Sequence, residues 1–362
     1  MDELNRTDVT GDTALTGDTA PRWRDALFGE PAGRGRVRCT LCPFRCVLAD
    51  GQAGVCRVRR NDGGTLRTAT YTAAVAQLTA VERKPLYHVR PGASVLTVAG
   101  PGCSFRCDYC INFRLSQYGR EDAAPWLGAA ARPGELAARA AAEGALLGMS
   151  YSEPSLAPEL TLDLAAHGVP VVWKSNGYLT AEAVALVAPA LLAVNIDVKA
   201  ADEAAHRHLT GASLAPVWQA VELFHAAGVW VEISTPLIPG ISDSARSLRA
   251  IAARIASIDA DIPWHLLRFT PDFRMRRADP TAPPALAAGR SAGRECGLRF
   301  VYVERALGPE GRNTVCPRCN AQLIDRGIWR MRHNSIRDGR CPECDFSVPG
   351  RWANDGSSAC IH

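Results

Sequence analysis

Three closely spaced cysteines are the residues of this sequence best suited to chemistry. Cys103, Cys107 and Cys110 follow an apolar run, residues 95–99, that predicts a β-strand. Three thiolates from one short loop suit a 4Fe–4S cluster in which one iron has no protein ligand. Zinc usually takes four ligands from paired C-x2-C units, which a lone C-x3-C-x2-C loop does not supply. We therefore predict an iron–sulfur cluster with one iron open to a small molecule.

Two groups of four cysteines flank this loop, and both have the spacing of metal ligands. The upstream quartet consists of Cys39, Cys42, Cys46 and Cys56. Four ligands this close in sequence favour zinc, with an auxiliary iron–sulfur cluster as the alternative. The downstream quartet consists of Cys316, Cys319, Cys341 and Cys344. Its two Cys-Pro-x-Cys turns resemble a zinc ribbon, which favours zinc and leaves an iron–sulfur cluster as the alternative.

The composition argues against several classes of protein. The chain has 362 residues and a formal charge of +4, with 41 basic and 37 acidic residues mixed along it, so we expect no nucleic-acid partner. No apolar run reaches the roughly 18 residues of a membrane helix, and the first residues lack the apolar core of a secretory signal. We therefore expect a cytoplasmic protein without a membrane partner. Thirteen cysteines in such a protein indicate metal sites and not disulfides.

Alternating apolar and helical segments predict the elements that position these cysteines. The predicted strands are 94–99, 146–151, 170–175, 191–199, 229–235, 263–269 and 299–303. The predicted helices lie near 134–145, 155–167, 180–188, 201–208, 214–227, 243–258 and 282–296. Continuous apolar strands that alternate with helices indicate a parallel sheet covered by helices. The expected fold is α/β, a partial or full (β/α) barrel with small N-terminal and C-terminal cysteine-rich metal modules.

This pattern divides the chain into four parts. Residues 1–36 are expected to form a disordered tail, because the Thr-, Asp- and Gly-rich stretch 7–21 has little to bury. Residues 37–92 form the N-terminal cysteine-rich module, and residues 93–308 form the barrel. Residues 309–362 form the zinc-ribbon-like module and a tail.

Polar residues stand at the strand ends, where the chemistry of such barrels collects. Period-two alternation places Asn195, Asp197 and Lys199 on one face. An inward polar face is costly unless its groups are paired or bind a ligand. Asp197 is expected to pair with Lys174 on the neighbouring strand, and an internal salt bridge without a ligand is the alternative. Further along the chain, His265 occupies a predicted apolar strand.

The stretch 37–352 resembles the radical S-adenosylmethionine (SAM) enzymes of the AmmeMemoRadiSam system, which are related to pyruvate formate-lyase-activating enzymes. The resemblance rests on the loop from Gly102 to Cys110 and on other stretches in the same order. These are residues 39–46, 84–88, 112, 116–117, 151–154, 175–178, 195–199, 236–240 and 348–352. The departures are Ile111, residues 79–83 and residues 304–308. They cluster around the expected substrate mouth and suggest a substrate unlike that of the general family.

The resemblance implies a barrel of the radical SAM type, with the cluster on Cys103, Cys107 and Cys110. SAM would bind the open iron and be cleaved reductively to methionine and a 5′-deoxyadenosyl radical. The residues expected near SAM are Glu153, Lys174, Asn176, Asp197, Lys199 and His265. A carboxylate such as that of Glu153 suits the SAM ammonium group, and Lys199 suits its carboxylate. For Glu153, a position in a helix N-cap region is the alternative. The activating-enzyme relatives have an acidic residue associated with a cation site at the position of Lys174, whose charge would replace the cation.

The expected function is hydrogen abstraction from a small polar substrate such as a sugar, nucleoside or amino-acid-like molecule. Epimerisation, dehydration and decarboxylation are the outcomes considered, with a flavodoxin or ferredoxin as electron donor. For an epimerase, Cys296 and Cys360 are the candidate hydrogen donors, although Cys296 also suits a buried structural position. Two alternatives stay open: an activase that forms a glycyl radical on a partner protein, and a non-catalytic metal-binding interaction protein.

Overall fold

The computed structural model describes residues 23–73, 75–120, 128–304, 307–328 and 330–352. Within these ranges, a module of short strands precedes a large central sheet, and a small three-stranded module follows it. None of the helices in this part of the chain has the length and apolar character needed to cross a membrane.

The N-terminal module is built from seven short strands. They are β1 (Arg24–Asp25), β2 (Gly29–Pro31), β3 (Val37–Cys39), β4 (Val47–Leu48), β5 (Arg59–Asp62), β6 (Thr65–Thr68) and β7 (Thr72–Ala73). Two antiparallel sheets result, in the orders β2-β3-β4 and β1-β6-β5. Cys39 therefore ends β3, whereas the other three cysteines of the upstream quartet lie in the connections that flank β4.

Part of the predicted disordered tail belongs to this module. Residues 23–36 include β1 and β2, so the prediction was wrong there, whereas residues 1–22 lie outside the described residues. Arg60 stacks over the Trp23 ring, with 4.1 Å between its Cζ and the ring centroid. The Leu27 N–H donates to Glu159 Oε1 at 2.7 Å. Such contacts attach residues 23–36 to the rest of the chain.

The central sheet contains eight strands. The next strands of the chain are β8 (Val75–Ala80), β9 (Ser94–Ala99), β10 (Ala129–Ala130), β11 (Leu146–Met149), β12 (Val171–Ser175), β13 (Leu191–Asp197), β14 (Trp230–Leu237), β15 (Trp264–Arg268) and β16 (Val301–Val303). All except β10, which pairs with β7, join one sheet in the order β16-β15-β14-β13-β12-β11-β9-β8. The seven strands from β9 to β16 are parallel, as predicted, and make a partial barrel.

Strand β8 is the one strand of the central sheet that is absent from the predicted strands. It lies in the segment assigned to the N-terminal module, yet it pairs antiparallel with β9 along its whole length. Its sequence, Val-Ala-Gln-Leu-Thr-Ala, is short and mixed, so its membership of the sheet depends on the neighbouring strand and not on local pattern.

Most of the longer helices cover the outer face of the sheet, and the described residues form nine α-helices in all. They are α1 (Phe113–Ser116), α2 (Pro133–Ala142), α3 (Pro158–Ala165), α4 (Ala181–Val187), α5 (Glu203–Thr210), α6 (Ala215–Ala226), α7 (Ala245–Ile258), α8 (Pro283–Glu295) and α9 (Gly308–Arg312). The predicted helix 155–167 begins later, at Pro158, after a 3₁₀ turn over Pro154–Leu156. Proline lacks the N–H that an earlier start would require but suits the first helical position.

The two faces of the sheet differ in polarity. The outer face packs on the helices in one apolar core that includes Leu96, Trp173 and Ile233. The inner face encloses the space that we call the lumen. The lower end of the lumen, at the amino ends of the parallel strands, is an apolar floor. In this floor, side chains of the strands pack against side chains of residues 81–93, which we call the floor segment. The floor consists of Val81, Leu86, Val89, Val95, Leu146, Val172 and Ala193.

The C-terminal module docks against the floor segment. Its antiparallel strands are β17 (Thr314–Val315), β18 (Gln322–Arg326) and β19 (Met331–Asn334). The buried Arg326 donates from Nη2 to the carbonyl oxygen of Tyr87 at 2.7 Å. His88 Nδ1 lies 2.7 Å from the carbonyl oxygen of Pro349, and its Nε2 lies 2.7 Å from Tyr302 Oη. This module therefore holds the segment that closes the lumen from below.

Candidate active site

The loop of Cys103, Cys107 and Cys110, the cluster loop, follows β9 at the carboxyl end of the sheet. The backbone N–H of Phe105 points at Cys103 Sγ at 3.3 Å, and Asn176 Nδ2 lies 3.6 Å from the same sulfur. Ser116 Oγ lies 3.1 Å from Cys110 Sγ. Burial raises the pKa of all three thiols, that of Cys107 to about 12, so a bound metal would have to displace their protons.

The spacing of the thiols separates the three cysteine groups. Among the described residues, the downstream quartet is the one group of three or more metal-binding side chains whose ligand atoms all lie within 4.8 Å of one another. The distance from Cys316 Sγ to Cys344 Sγ is 3.6 Å, and the distance from Cys319 Sγ to Cys341 Sγ is 3.7 Å. Zinc–sulfur bonds of about 2.3 Å in a tetrahedron place ligands about 3.8 Å apart, so these four fit a single ion. The wider spread on the cluster loop fits a cluster, whose thiolates bind separate irons.

Glu153 and Asn176 brace the cluster loop from two neighbouring strand ends. Glu153 follows β11, and its carboxylate accepts hydrogen bonds from the Ser155 N–H, from Ser175 Oγ and from the Asn176 N–H at 2.6–3.0 Å. Asn176 Nδ2 in turn donates to Ser104 Oγ at 2.9 Å. Burial raises the pKa of Glu153 more than these bonds lower it. The structure thus brings both predicted SAM contacts to the cluster loop, while their role toward SAM stays a prediction.

The predicted pair of Lys174 and Asp197 is present, and it belongs to a network that also contains Asn195 and Lys199. Lys174 Nζ donates to Asp197 Oδ1 at 2.5 Å and to Asn195 Oδ1 at 2.6 Å. Lys199 Nζ donates to Asp197 Oδ2 at 2.9 Å and lies 5.7 Å from the ring centroid of Tyr109, in the cluster loop. The network therefore links the polar strand ends to the cluster loop.

The pKa values in this network follow its charges. Burial would raise the pKa of Asp197, but Lys174 and Lys199 outweigh it and lower the value below normal. Burial lowers the pKa of Lys174 despite Asp197, whereas the pKa of Lys199 rises because Asp197 and Tyr109 outweigh its burial. The carboxylate of Asp197 is therefore shared by two cations, and Lys199 is the one firmly charged.

His265 lies lower in the lumen than these residues. It is completely buried, and its Nε2 is 2.6 Å from Glu232 Oε2. Glu232 also accepts hydrogen bonds from the backbone N–H groups of Tyr87 and His88 in the floor segment. The structure thus joins His265 to the floor and not to the cluster loop, and its predicted role at SAM receives no support from this position.

The upstream quartet lies beside the cluster loop. Its four thiols line one cavity together with Phe44, Leu156 and the cluster-loop residue Ser104. Arg120 Nη2 donates to the carbonyl oxygens of both Val55 and Cys103, at 2.7 and 2.9 Å. The arginine therefore fastens the two cysteine loops to each other.

The two candidate hydrogen donors do not join this site. Cys296 ends α8, and its Sγ lies 3.7 Å from the carbonyl oxygen of Arg249 in α7. This thiol is on the helical side of the sheet, opposite the lumen, so its position contradicts a role as hydrogen donor to a lumenal substrate. Cys360 lies outside the described residues.

Two lumenal residues, Lys84 and Tyr151, were given no site role in the predictions from sequence, although they lie in the stretches 84–88 and 151–154. Lys84 is 1% exposed, and its Nζ lies 4.6 Å from the ring centroid of Tyr151, which follows β11. Lys84 precedes the first predicted barrel strand, so neither strand period nor strand end indicated it.

Comparisons with known proteins agree with this geometry. The model of the radical SAM superfamily matches residues 97–249, which include the end of β9, the cluster loop and β10 to β14. Uncharacterized protein MJ0808 of Methanocaldococcus jannaschii is 31% identical over 333 residues, which cover 90% of this chain and 98% of that protein. The isethionate sulfite-lyase activating enzyme of Nitratidesulfovibrio vulgaris is 29% identical over 136 residues, 35% of this chain and 44% of that enzyme.

A solved structure of similar fold is a radical SAM methyltransferase from Sphaerobacter thermophilus. It is 16% identical, the match covers 59% of this chain and 67% of that chain, and the TM-score is 0.47.

Proposed function

This chain belongs to the radical SAM superfamily, and from that premise we propose that it abstracts a hydrogen atom from a small polar substrate held in the lumen. A 4Fe–4S cluster and SAM, when bound, supply a 5′-deoxyadenosyl radical after one-electron reduction. The proposed cluster ligands are Cys103, Cys107 and Cys110, and the proposed electron donor is a flavodoxin or ferredoxin.

One observation carries this proposal: the cluster loop touches the polar end of the lumen. Asn176 joins the loop to β12, and Lys199 joins Tyr109 of the loop to Asp197 on β13. A radical formed at the loop would therefore arise beside groups that can orient a polar molecule. Because apolar side chains close the lower end of the lumen, the space suits a small substrate.

The chain's own residues would orient SAM and substrate by charge. The Glu153 carboxylate has three hydrogen bonds from protein, and an ammonium group would add a fourth, charge-assisted one. Lys199 would meet a carboxylate. Lys174 pairs with Asp197. Beside this pair, Ser234 Oγ donates a hydrogen bond to Asn195 Oδ1 at 2.7 Å, so both residues present neutral polar groups on the lumen wall.

The second candidate is an activase acting on a partner protein. The similarity to an enzyme named as the activator of isethionate sulfite-lyase favours it. In that case the hydrogen atom would come from a polypeptide segment that enters the lumen from its carboxyl end.

The test is the formation of 5′-deoxyadenosine. The protein would be reconstituted anaerobically with iron and sulfide, reduced with dithionite in the presence of SAM, and analysed by mass spectrometry. We expect product from the native chain and at least a hundredfold less from Cys107→Ser, which lacks one cluster ligand. Absence of product from a chain with an intact cluster would refute the proposal. Substrate-derived product that requires a second protein would favour the activase.

We also propose zinc for the downstream quartet and a second 4Fe–4S cluster for the upstream quartet. The close Sγ distances support the first assignment. The second is supported because, among the described residues, the upstream thiols do not form a group whose sulfur atoms all lie within 4.8 Å of one another. In a variant with Cys103, Cys107 and Cys110 all changed to alanine, about four irons and one zinc per chain should remain. Two zincs and no iron would instead assign zinc to both quartets.

A further inference from the structure

Lysine is rare in this chain, and its positions are unusual. Of the 41 basic residues only three are lysines, and all others are arginines. Lys84, Lys174 and Lys199 all point into the lumen, where their side chains are at most 16% exposed. Arginine therefore serves at every exposed cationic position, and lysine occurs where a compact ammonium group that can lose its proton is enclosed by protein.

Lys84 differs from the other two lysines because it has no polar partner. Lys174 and Lys199 share Asp197, whereas Lys84 Nζ has no hydrogen-bond partner among the described residues. The ammonium group instead makes a cation–π contact with the face of the Tyr151 ring. Burial, with a smaller contribution from the charge of Arg83, lowers the pKa of Lys84 to about 7. An ammonium group in this position is unsatisfied unless a ligand supplies the partner.

The lack of a side chain at Gly148, in β11, leaves room for the side chain of Lys84. Lys84 Cε lies 3.8 Å from the position that a Cβ on Gly148 would take, on the lumenal side of β11. The lysine therefore extends from the floor segment along β11 toward Tyr151, two residues before Glu153. Tyr151 has a φ of +69°, and its hydroxyl accepts from Gln77 Nε2 at 3.1 Å, which fixes the ring against the ammonium group. The amine thus stands between the floor and the residues that brace the cluster loop.

We propose that Lys84 binds an anionic oxygen group of the substrate, a carboxylate or a phosphate. The inference rests on the proposed function, because it assigns a substrate class to the same lumen. An anion would complete the hydrogen bonds of the buried ammonium group and offset the cost of burying its charge. Lys174 and Lys199 each donate a hydrogen bond to Asp197, whereas Lys84 has no hydrogen-bond partner among the described residues, so Lys84 is the lumenal cation with the greatest need of an incoming anion.

The small number of lysines makes a direct test feasible. The oxidised, cluster-loaded chain labelled with ¹³C at lysine Cε should give three signals by NMR. The one signal that is lost in Lys84→Met belongs to Lys84. Its titration midpoint, near pH 7 in the unliganded protein, should move upward by at least one pH unit on addition of sodium acetate or inorganic phosphate. A response to one of the two probes identifies the type of anion.

Three results would overturn the proposal. A midpoint unmoved by either probe would mean that Lys84 binds no anion. A shift with SAM alone would assign Lys84 to the SAM carboxylate. Trapping of a carbonyl probe, pyruvate, on Lys84 by borohydride would make the amine a nucleophile. Formation of 5′-deoxyadenosine is measured separately, so failure of this inference is distinguishable from failure of the proposed function.

Discussion

At the scale of single residues, Asp197 is the centre of the lumenal charge network. Its two carboxylate oxygens accept hydrogen bonds from Lys174 and Lys199. Removing one partner of a buried ion network is strongly destabilising, because the remaining charges keep the cost of their burial. The network is therefore expected to contribute to stability as well as to ligand orientation.

We predict that Asp197→Asn lowers the free energy of unfolding by about 3 kcal/mol, because two buried ammonium groups lose their counter-charge. Urea unfolding of the anaerobic protein measures the change. The matched control is Asp197→Asn combined with Lys174→Met, which removes one unpaired cation and should recover part of the loss. Equal stability of native and single-variant chains would contradict the prediction.

At the scale of elements, the contact between the cluster loop and the N-terminal module depends on Gly102. This residue has a φ of +92°, and a Cβ on it would lie 2.7 Å from Val58 Cγ1 and 2.8 Å from the carbonyl oxygen of Cys56. A methyl group at this position would separate the loop from the module that supports it, since backbone oxygen cannot move aside as a side chain can.

Gly102→Ala is therefore expected to lower the iron bound per chain by at least half and to reduce stability. The control is Gly144→Ala, because Gly144 also has a positive φ, +57°, but its Cβ would meet nothing within 4 Å. Both variants carry backbone strain, and only the first has the steric conflict. Iron analysis after reconstitution gives the result, and equal iron in the two variants would refute the role of the contact.

The floor segment carries a second element-scale prediction, through His88. Burial lowers the pKa of this histidine to about 4, although Glu232 opposes the change. The unfolded chain, with an ordinary histidine pKa near 6.5, binds the proton more readily, so stability is complete above pH 6.5 and falls as the pH drops toward 4. We expect His88 to account for a loss of about 3 kcal/mol over this range.

Thermal unfolding at several pH values tests this expectation. His88→Gln keeps a polar side chain without a titrating group, so its stability should depend less on pH between 6.5 and 4. Parallel curves for the native chain and the variant would show that His88 does not titrate on unfolding.

At the scale of the whole molecule, the downstream quartet is coupled to the lumen by contacts through the floor segment. The C-terminal module holds Tyr87 and His88 through Arg326 and Pro349, and both backbone N–H groups bind Glu232 in β14. Cys341 and Cys344 fix the part of the module that leads to Pro349. Loss of the metal should therefore loosen the lower end of the barrel as well as the module.

We predict that Cys341→Ser with Cys344→Ser increases amide hydrogen exchange in residues 84–90 at least tenfold, while exchange in α7 stays unchanged. Hydrogen-exchange mass spectrometry measures both regions in one experiment. Arg318→Ala is the control, because this exposed residue lies beside the quartet without belonging to it. Protection of residues 84–90 that survives loss of both cysteines would disprove the coupling.

Local sequence patterns determined much of this protein. The spacing of the cysteines indicated three metal-binding groups, and the alternation of apolar runs with helical segments indicated the parallel sheet and most of its boundaries. Strand period also predicted the pair of Lys174 and Asp197. These features follow from short-range geometry, because ligands of one loop and side chains of one strand have positions set by a few neighbouring residues.

Only the tertiary structure decided which distant residues meet. Contacts between segments far apart in the chain form strand β8, give residues 23–36 their structure and place Lys84 in the lumen. Local sequence pattern does not encode such contacts. The fold also places Cys296 on the outer side of the sheet and His265 at the floor, where side-chain type alone suggested active-site roles. The prediction of chemistry at the cluster loop therefore follows from the sequence, whereas the shape and charge of the space beside the loop arise from long-range packing.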